Sequence, residues 1–491
     1  METTKATDKK ESKYWQDKYG VKYSKDRKRL LGSEEGLTKY VIPKGTEEIC
    51  DFAFYHETLE SIEIPDTVTH IGSQAFKGCD SLSSIVIPAS ARHIGRCAFE
   101  YGLNIDCHKN KSFAFDCHTL YSADMTKLIA YLGKDESFTI PDTVTHIMDD
   151  AFWECKTLKK IVIPDSVTTI GENAFFYCEA LQAINLPVRI THIRKWAFDG
   201  CSSLKTITLP DSIKRIEDGA FENCESLKSI NISKSVTHIG SNPFVECDAL
   251  NDVRCESKHF CVQDEALYTA DMSWLISYFG AKGTFIIPET VTHIGKRAFC
   301  SCKLLHHVTI PNSVTHIEDE AFDDSYIKSI ELPNSLLHIG NRAFACTSLK
   351  GKLIIPNSVK YIGNLAFNHS NYKHVLLPDS VTYLGKEAFS ECESLKDICI
   401  PGSIARIPTA AFWACYSLKK VVIQEGVKHI SSEAFAYCRN LEEVIIPSSV
   451  IKIGRTPFWN CDSLRAIIMP RGKKELFARQ LSHYKDKIME V

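Results

Sequence analysis

The sequence predicts an α/β repeat solenoid of about sixteen coils, each 22–23 residues long with short parallel strands. Three observations carry that prediction. Fifteen of the 18 prolines, from Pro43 to Pro470, fall on one register of 22 or 23 residues, with Ser233 and Gln424 filling two register positions. Eleven places further on stands a phenylalanine in all sixteen units from Phe54 to Phe458. The unit itself reads roughly I-x-I-P-D-S-V-T-H-I-G-x-x-A-F-x-x-C-x-x-L-K. So short a unit cannot bury its own apolar side, so neighbours must stack and the end coils need caps.

Each element of the coil follows from its residues. The L-x-x-I-x-I run alternates β-branched side chains, which suits a short strand pairing with the same strand of the next coil. Proline stops that strand because it has no N–H for the ladder. Asp, Asn or Ser then offers side-chain acceptors to the turn, as at Asp66, Asp165-Ser166 and Asn312-Ser313. V-T-H-I reads as a second extended piece, and G-x-x-A-F as a tight turn or a single helical turn. Alanine precedes the phenylalanine in every unit but two, where Pro243 and Pro457 stand.

Two register intervals are long, 53 residues from Pro88 to Pro141 and 55 from Ser233 to Pro288. Tyr121-Ser122-Ala123-Asp124 in the first matches Tyr268-Thr269-Ala270-Asp271 in the second, and Tyr23-Ser24-Lys25-Asp26 repeats the motif near the start. Each tyrosine lies 20 residues before a register proline. Two extended stretches around a polar turn make a hairpin laid against the stack. The expected organisation is a loosely ordered segment 1–19, a hairpin cap over 20–40 and repeats over 41–103. A hairpin interruption follows over 104–137, then repeats over 138–252, a second interruption over 253–284 and repeats over 285–470. Phe477, Leu481, Tyr484 and Ile488 then recur at spacings of four, three and four, which predicts a capping helix over 471–491.

Charge and motifs narrow the function. With 58 basic against 61 acidic residues the net charge is −3, and the pI of 6.7 argues against wrapping nucleic acid or coating an anionic membrane. No run of 18 apolar residues exists, so membrane insertion is not expected. The opening METTKATDKKESKYW has no apolar stretch of a secretory leader. Eleven of the 20 cysteines, Cys79 to Cys461, stand fourteen places after the register position and read as a small-hydrophobe packing ladder. No C-x-x-C pair occurs, so no metal site is expected. So many free thiols suit a reducing compartment, and a cytoplasmic location is expected. Nine histidines, among them His293, His316 and His338, stand five places after the register position, a solvated row whose mutual repulsion should lower their pKa values. Phosphate-loop, dinucleotide-loop, zincin and nucleophile-elbow motifs are all missing, so neither catalysis nor a cofactor is expected.

A basic row remains. Lys159, Lys205, Lys228, Lys328, Lys373, Lys396, Lys419 and Arg465 all stand five residues before the register position, and acids such as Asp165, Asp211 and Asp379 follow on the far side of the turn. The core positions hardly vary between coils, so partner choice must reside in outward residues of this kind or in the hairpins.

The repeat closely resembles the BspA-like, or treponemal class, leucine-rich repeats from Val41 to Pro470. That resemblance implies a curved right-handed solenoid used for recognition, often in microbial surface adhesins, without catalytic residues, and with the basic row on the concave strand side. The expected function is a non-enzymatic, monomeric bacterial scaffold that recognises an acidic protein partner through that row, with nucleic acid not expected as its main partner. The alternative is a polyanion binder, for nucleic acid or an acidic glycan, which strong salt dependence would reveal.

Overall fold

The computed structural model describes residues 14–34 and 36–491, in two compact units, one up to His238 and one from Ile239 to Val491. Each is a parallel β-solenoid. A representative coil runs through the strand Lys160–Val162, which buries Ile161 and turns Lys160 and Val162 outward. Parallel ladders join it to Ser137–Thr139 and Ala183–Ile184 in the neighbouring coils. After Pro164 the chain turns, and the Ser166 hydroxyl donates to the Val144 carbonyl of the preceding coil at 2.8 Å. The second strand, Thr169–Ile170, pairs in parallel with His146–Ile147.

Helix is nearly absent, because the Ala-Phe turn resolves to the tight alternative. In the coil before, left-handed Asp150 (φ 58°) and Glu154 (φ 55°) bracket Ala151-Phe152. Phe152 N–H donates to Ala174 of the next coil at 2.8 Å, which ties the turn across coils and leaves that donor unavailable to a helix. Gly171 faces the same close approach, since a Cβ there would come within 2.4 Å of the Asp149 nitrogen.

The phenylalanines form the core. Phe152, Phe175, Phe198 and Phe221 stack at 5.0, 5.3 and 5.6 Å between ring centres. In the second unit the row runs unbroken from Phe299 to Phe458. Tyr131 and Tyr278 head these rows, at 5.3 Å from Phe152 and 5.4 Å from Phe299. The cysteine ladder lies beside them and does more than fill space. Cys178, Cys201 and Cys224 each donate to the phenylalanine carbonyl 26 residues earlier, at 3.1–3.3 Å, as do Cys415, Cys438 and Cys461. Where cysteine is missing, buried Ser370 makes the same bond across coils to Phe344, while Ser325 and Thr347 turn to the phenylalanine of their own coil, three residues back, at Phe322 and Phe344. The position therefore holds a small donor, which at several coils adds a second hydrogen bond to a Phe carbonyl that already accepts a backbone N–H, as Phe152 does from Cys155 at 3.1 Å.

The three interruptions are one device, with three strands rather than two. Phe113–Asp116, Thr119–Ser122 and Lys127–Tyr131 form an antiparallel meander, and Phe260–Gln263, Ala266–Thr269 and Trp274–Tyr278 repeat it. The third strand then joins the stack in parallel, Lys127 opposite His146 and Trp274 opposite His293. Asp124 and Asp271 close the second turn by accepting from Ser122 and Thr269 hydroxyls, both at 2.6 Å, and these bonds hold the two carboxyls down to about 2. Asn104–Asp106 is still a regular coil strand, paired with Ser84–Val86, so the first insertion proper is shorter than 104–137.

The two ends differ from expectation in detail. Of the segment 1–19, residues 1–13 lie outside the described residues, but Trp15–Gln16 is a strand paired with Lys22–Tyr23, making the N-terminal cap a meander too. At the other end Phe477 and Leu481 are buried and Tyr484 and Ile488 pack on the core, as the spacing required. Only Lys473–Leu476 is α-helical, however. Ser482–Lys487 is a 3-10 turn, and Ile488–Glu490 adds a strand in parallel to Ala466–Met469. The open ladder of the last coil offers more hydrogen bonds to a strand than to a helix.

Candidate functional site

All eight members of the basic row are exposed: seven leave the coil just before a strand, directly after an inward Leu or Ile, and Lys373 lies within the strand Asn371–Leu376 after inward Tyr372. Lys159, Lys205 and Lys228 belong to the first unit; Lys328, Lys373, Lys396, Lys419 and Arg465 belong to the second. In the first unit Lys159 is held by Glu136 at 2.6 Å, and Lys228 N–H donates to the Lys205 carbonyl at 3.1 Å, which sets those two side by side. In the second, Lys396 donates to Lys373 at 3.0 Å and Lys419 to Lys396 at 2.8 Å. Three cations thus stand in successive coils. Glu442 and Arg465 continue the file, and that carboxylate lies 4.0 Å from Lys419 and 3.8 Å from Arg465. Among the described residues neither Lys373 nor Lys396 has an ion-pair partner. Within each unit the row is interrupted, by Gln182 between Lys159 and Lys205 and by Gly351 between Lys328 and Lys373.

One outward position in each strand escaped the sequence reading. Two residues before the register position, the second unit places Ile354, Leu376, Cys399, Val422, Ile445 and Ile468. Strand pairing sets Ile354 beside Leu376, Cys399 beside Val422, then Ile445 and Ile468; His374 opposite Asp397 puts Leu376 next to Cys399. The C-terminal strand extends the file to Met489, opposite Ile468. Seven apolar side chains from seven strands thus form one outward column. Ile354 is 57% exposed, Leu376 48% and Met489 54%, with Val422, Ile445 and Ile468 half-buried. Between this column and the lysines lies a self-paired file, in which His374 meets Asp397 at 3.3 Å and Lys420 meets Glu443 at 2.6 Å. The signal lies in the x of I-x-I, which is apolar in every coil from Ile354 to Ile468 but polar at Thr309 and Glu331.

The histidines line the second strand. In the second unit they belong to a stack of six rings, Trp274, His293, His316, His338, Tyr361 and Tyr383, with centres 4.3–5.6 Å apart and planes within 26°. The Thr315 hydroxyl lies 3.2 Å from the Thr292 carbonyl of the preceding coil and 2.8 Å from His316 Nδ1, which ties the ring to the turn. Burial is the main cause that lowers the His293 and His338 pKa values, with the neighbouring His316 second. Repulsion within the row is thus the lesser cause. Among the described residues no three His, Cys, Asp or Glu side chains are placed to hold a metal ion, and no helix is long and apolar enough to cross a membrane.

The family model described as "BspA type Leucine rich repeat region (6 copies)" matches residues 32–135, 130–251, 282–351 and 351–465. No curated protein matches the chain. Among solved structures, a leucine-rich repeat protein from Bacteroides ovatus is 25% identical, covering 77% of this chain and 97% of its own, with a TM-score of 0.46. A leucine rich cell surface protein from Faecalibacterium prausnitzii is 26% identical over 95% of each chain, with a TM-score of 0.37. The pneumococcal vaccine antigen PcpA is 20% identical, covering 97% of this chain and 96% of its own, at 0.45. Matched through its repeats over most of its length, the chain belongs to the BspA-type leucine-rich repeat family.

Proposed function

We propose that this repeat scaffold binds an acidic protein through its outward strand face, without catalysis. The observation that carries the reading is the file Lys373, Lys396, Lys419, Glu442 and Arg465, four cations against one carboxylate on exposed, regularly paired strands. Cations held about 5 Å apart repel one another by up to about 1 kcal/mol in water, a cost that an acidic partner relieves on docking. Such rim charge mainly speeds association. The interruption by Glu442, and by Glu136 in the first unit, favours a protein with discrete acidic patches over a uniform polyanion. The buried thiol ladder supports a reducing, cytoplasmic setting. Affinity capture from the source cell tests the reading: a partner should be retained by the native chain and lost when Lys373, Lys396 and Lys419 are all changed to Glu. A partner that survives this reversal and is lost on excising a meander would move the site to the meanders.

A further inference from the structure

We infer that the apolar column from Ile354 to Met489 is the seat of an amphipathic α-helix of about twenty residues, with acidic side chains along one flank. The inference rests on the strand-face reading above and names the form of its partner. A single file of seven apolar side chains, from seven successive strands, lies open along one face of the second unit. Exposed apolar side chains scattered singly need no explanation, whereas a contiguous file bordered by charge marks an interaction surface.

Spacing selects the form of the occupant. Strands about 4.8 Å apart repeat the column at that interval. A helix returns a side chain to one face about every 5.4 Å, so one lying along the file slips by only about 0.6 Å per coil and about 3.6 Å over six intervals. An extended strand returns one only every 6.6–6.8 Å or so and falls out of step within two coils. Six intervals make about 29 Å, which at 1.5 Å per residue corresponds to about nineteen helical residues. A narrow apolar stripe on the partner is also what a one-file column can cover.

Charge selects the flank and argues against a second copy of this chain. The Lys373, Lys396 and Lys419 file runs along one side of the column, beyond the self-paired file of His374, Asp397, Lys420 and Glu443, while Asp379 and Glu425 stand on the other. Glu425 is already engaged by the Ser448 and Ser449 backbone N–H groups. With Asp379 as the one acid left against the unpaired Lys373 and Lys396, the net uncompensated charge is positive, and the same face of a second copy would bring more of it. An acidic flank complements it, and the apolar column then sets the residence time.

Cys399, exposed in the middle of the column, makes the inference testable in the native full-length chain, with exposed Cys117 as an internal reference. The probe is a synthetic twenty-residue helical peptide with leucine along one stripe and glutamate beside it. Saturating peptide should slow Cys399 alkylation at least tenfold by mass spectrometry and leave Cys117 unchanged. Leu376→Asp with Ile445→Asp should abolish the protection, and Lys396→Glu, at a fully outward position that does not touch the fold, should weaken peptide binding several-fold. The inference is overturned if Cys399 reacts at its free rate, or if a peptide with lysine in place of glutamate protects equally well. Protection that grows with the chain's own concentration, without peptide, would assign the column to a second copy and also overturn it. Partner capture that is lost with the lysine reversal but indifferent to Leu376→Asp and Ile445→Asp would remove the helix and leave the strand-face reading standing. Capture indifferent to the lysine reversal defeats that reading itself.

Discussion

The two units share a coil and differ in one outward position. In the first, the five coils that carry Glu136, Lys159, Gln182, Lys205 and Lys228 present Thr139, Val162, Asn185, Thr208 and Asn231 two residues before the register position. In the second, beside Lys373, Lys396 and Lys419, the same position holds Leu376, Cys399 and Val422 within an unbroken apolar file. Asn185 even folds back on its neighbour, donating to the Ile163 carbonyl at 2.8 Å. The first face sets its one apolar side chain here, Val162, between polar neighbours; the second lines up apolar side chains at this position from coil to coil. Identical cores can therefore carry unlike surfaces, since stacking constrains only the inward residues.

The largest expected effect tests whether the cores really are alike. Phe198→Ala in the first unit and Phe389→Ala in the second should each cost about 3–5 kcal/mol, felt locally in the mutated unit by hydrogen exchange. An intact melting profile for either would take that ring out of the core and break the equivalence. Next comes the donor ladder, which is all cysteine from Cys155 to Cys224 but mixed with Ser325, Thr347 and Ser370 in the second unit. Cys415→Val leaves the Phe389 carbonyl without its donor and should cost about 1–3 kcal/mol, whereas Cys415→Ser should cost much less. Equal losses in chemical denaturation would mean that the ladder is packing alone.

The charge comparison follows. Changing Lys373, Lys396 and Lys419 to Glu should slow association with the captured partner about tenfold, with a reduced salt dependence. Changing Lys205 and Lys228 to Glu should alter it less than threefold, and equal effects in stopped-flow measurements would erase the distinction between the two faces. The smallest effect concerns pH. His293 and His338 have their folded pKa values lowered, chiefly by burial. Their contribution is thus fully present above the unfolded value near 6.5 and is lost as pH falls through the folded values. Replacing both with Thr, the residue that Thr169 already places at this position, should flatten the acid limb of stability below about pH 6.5. An unchanged profile leaves the ring stack without a titrating role.

The sequence by itself determined the coil, the register, the phenylalanine core, the three related insertions and the outward direction of the basic row. The reason is one-dimensional stacking: the neighbour of a residue is the residue 22 or 23 places away, so spacing alone reports most contacts. Only the tertiary structure decided what happens where the repeat is broken or where its variable positions meet. Trp274 heads the ring stack because a meander strand, outside the register, docks in line with His293. Tyr361 and Tyr383 join it because an aromatic ring can replace imidazole in a stack, an equivalence that identity matching overlooks. Met489 completes the apolar column because an unpaired ladder edge captures the last strand, whereas the spacing of Phe477, Leu481 and Tyr484 pointed to a helix. Periodicity reports which side chains turn inward; which outward ones form a surface is settled by non-repeating segments and by the partners their charges find in space.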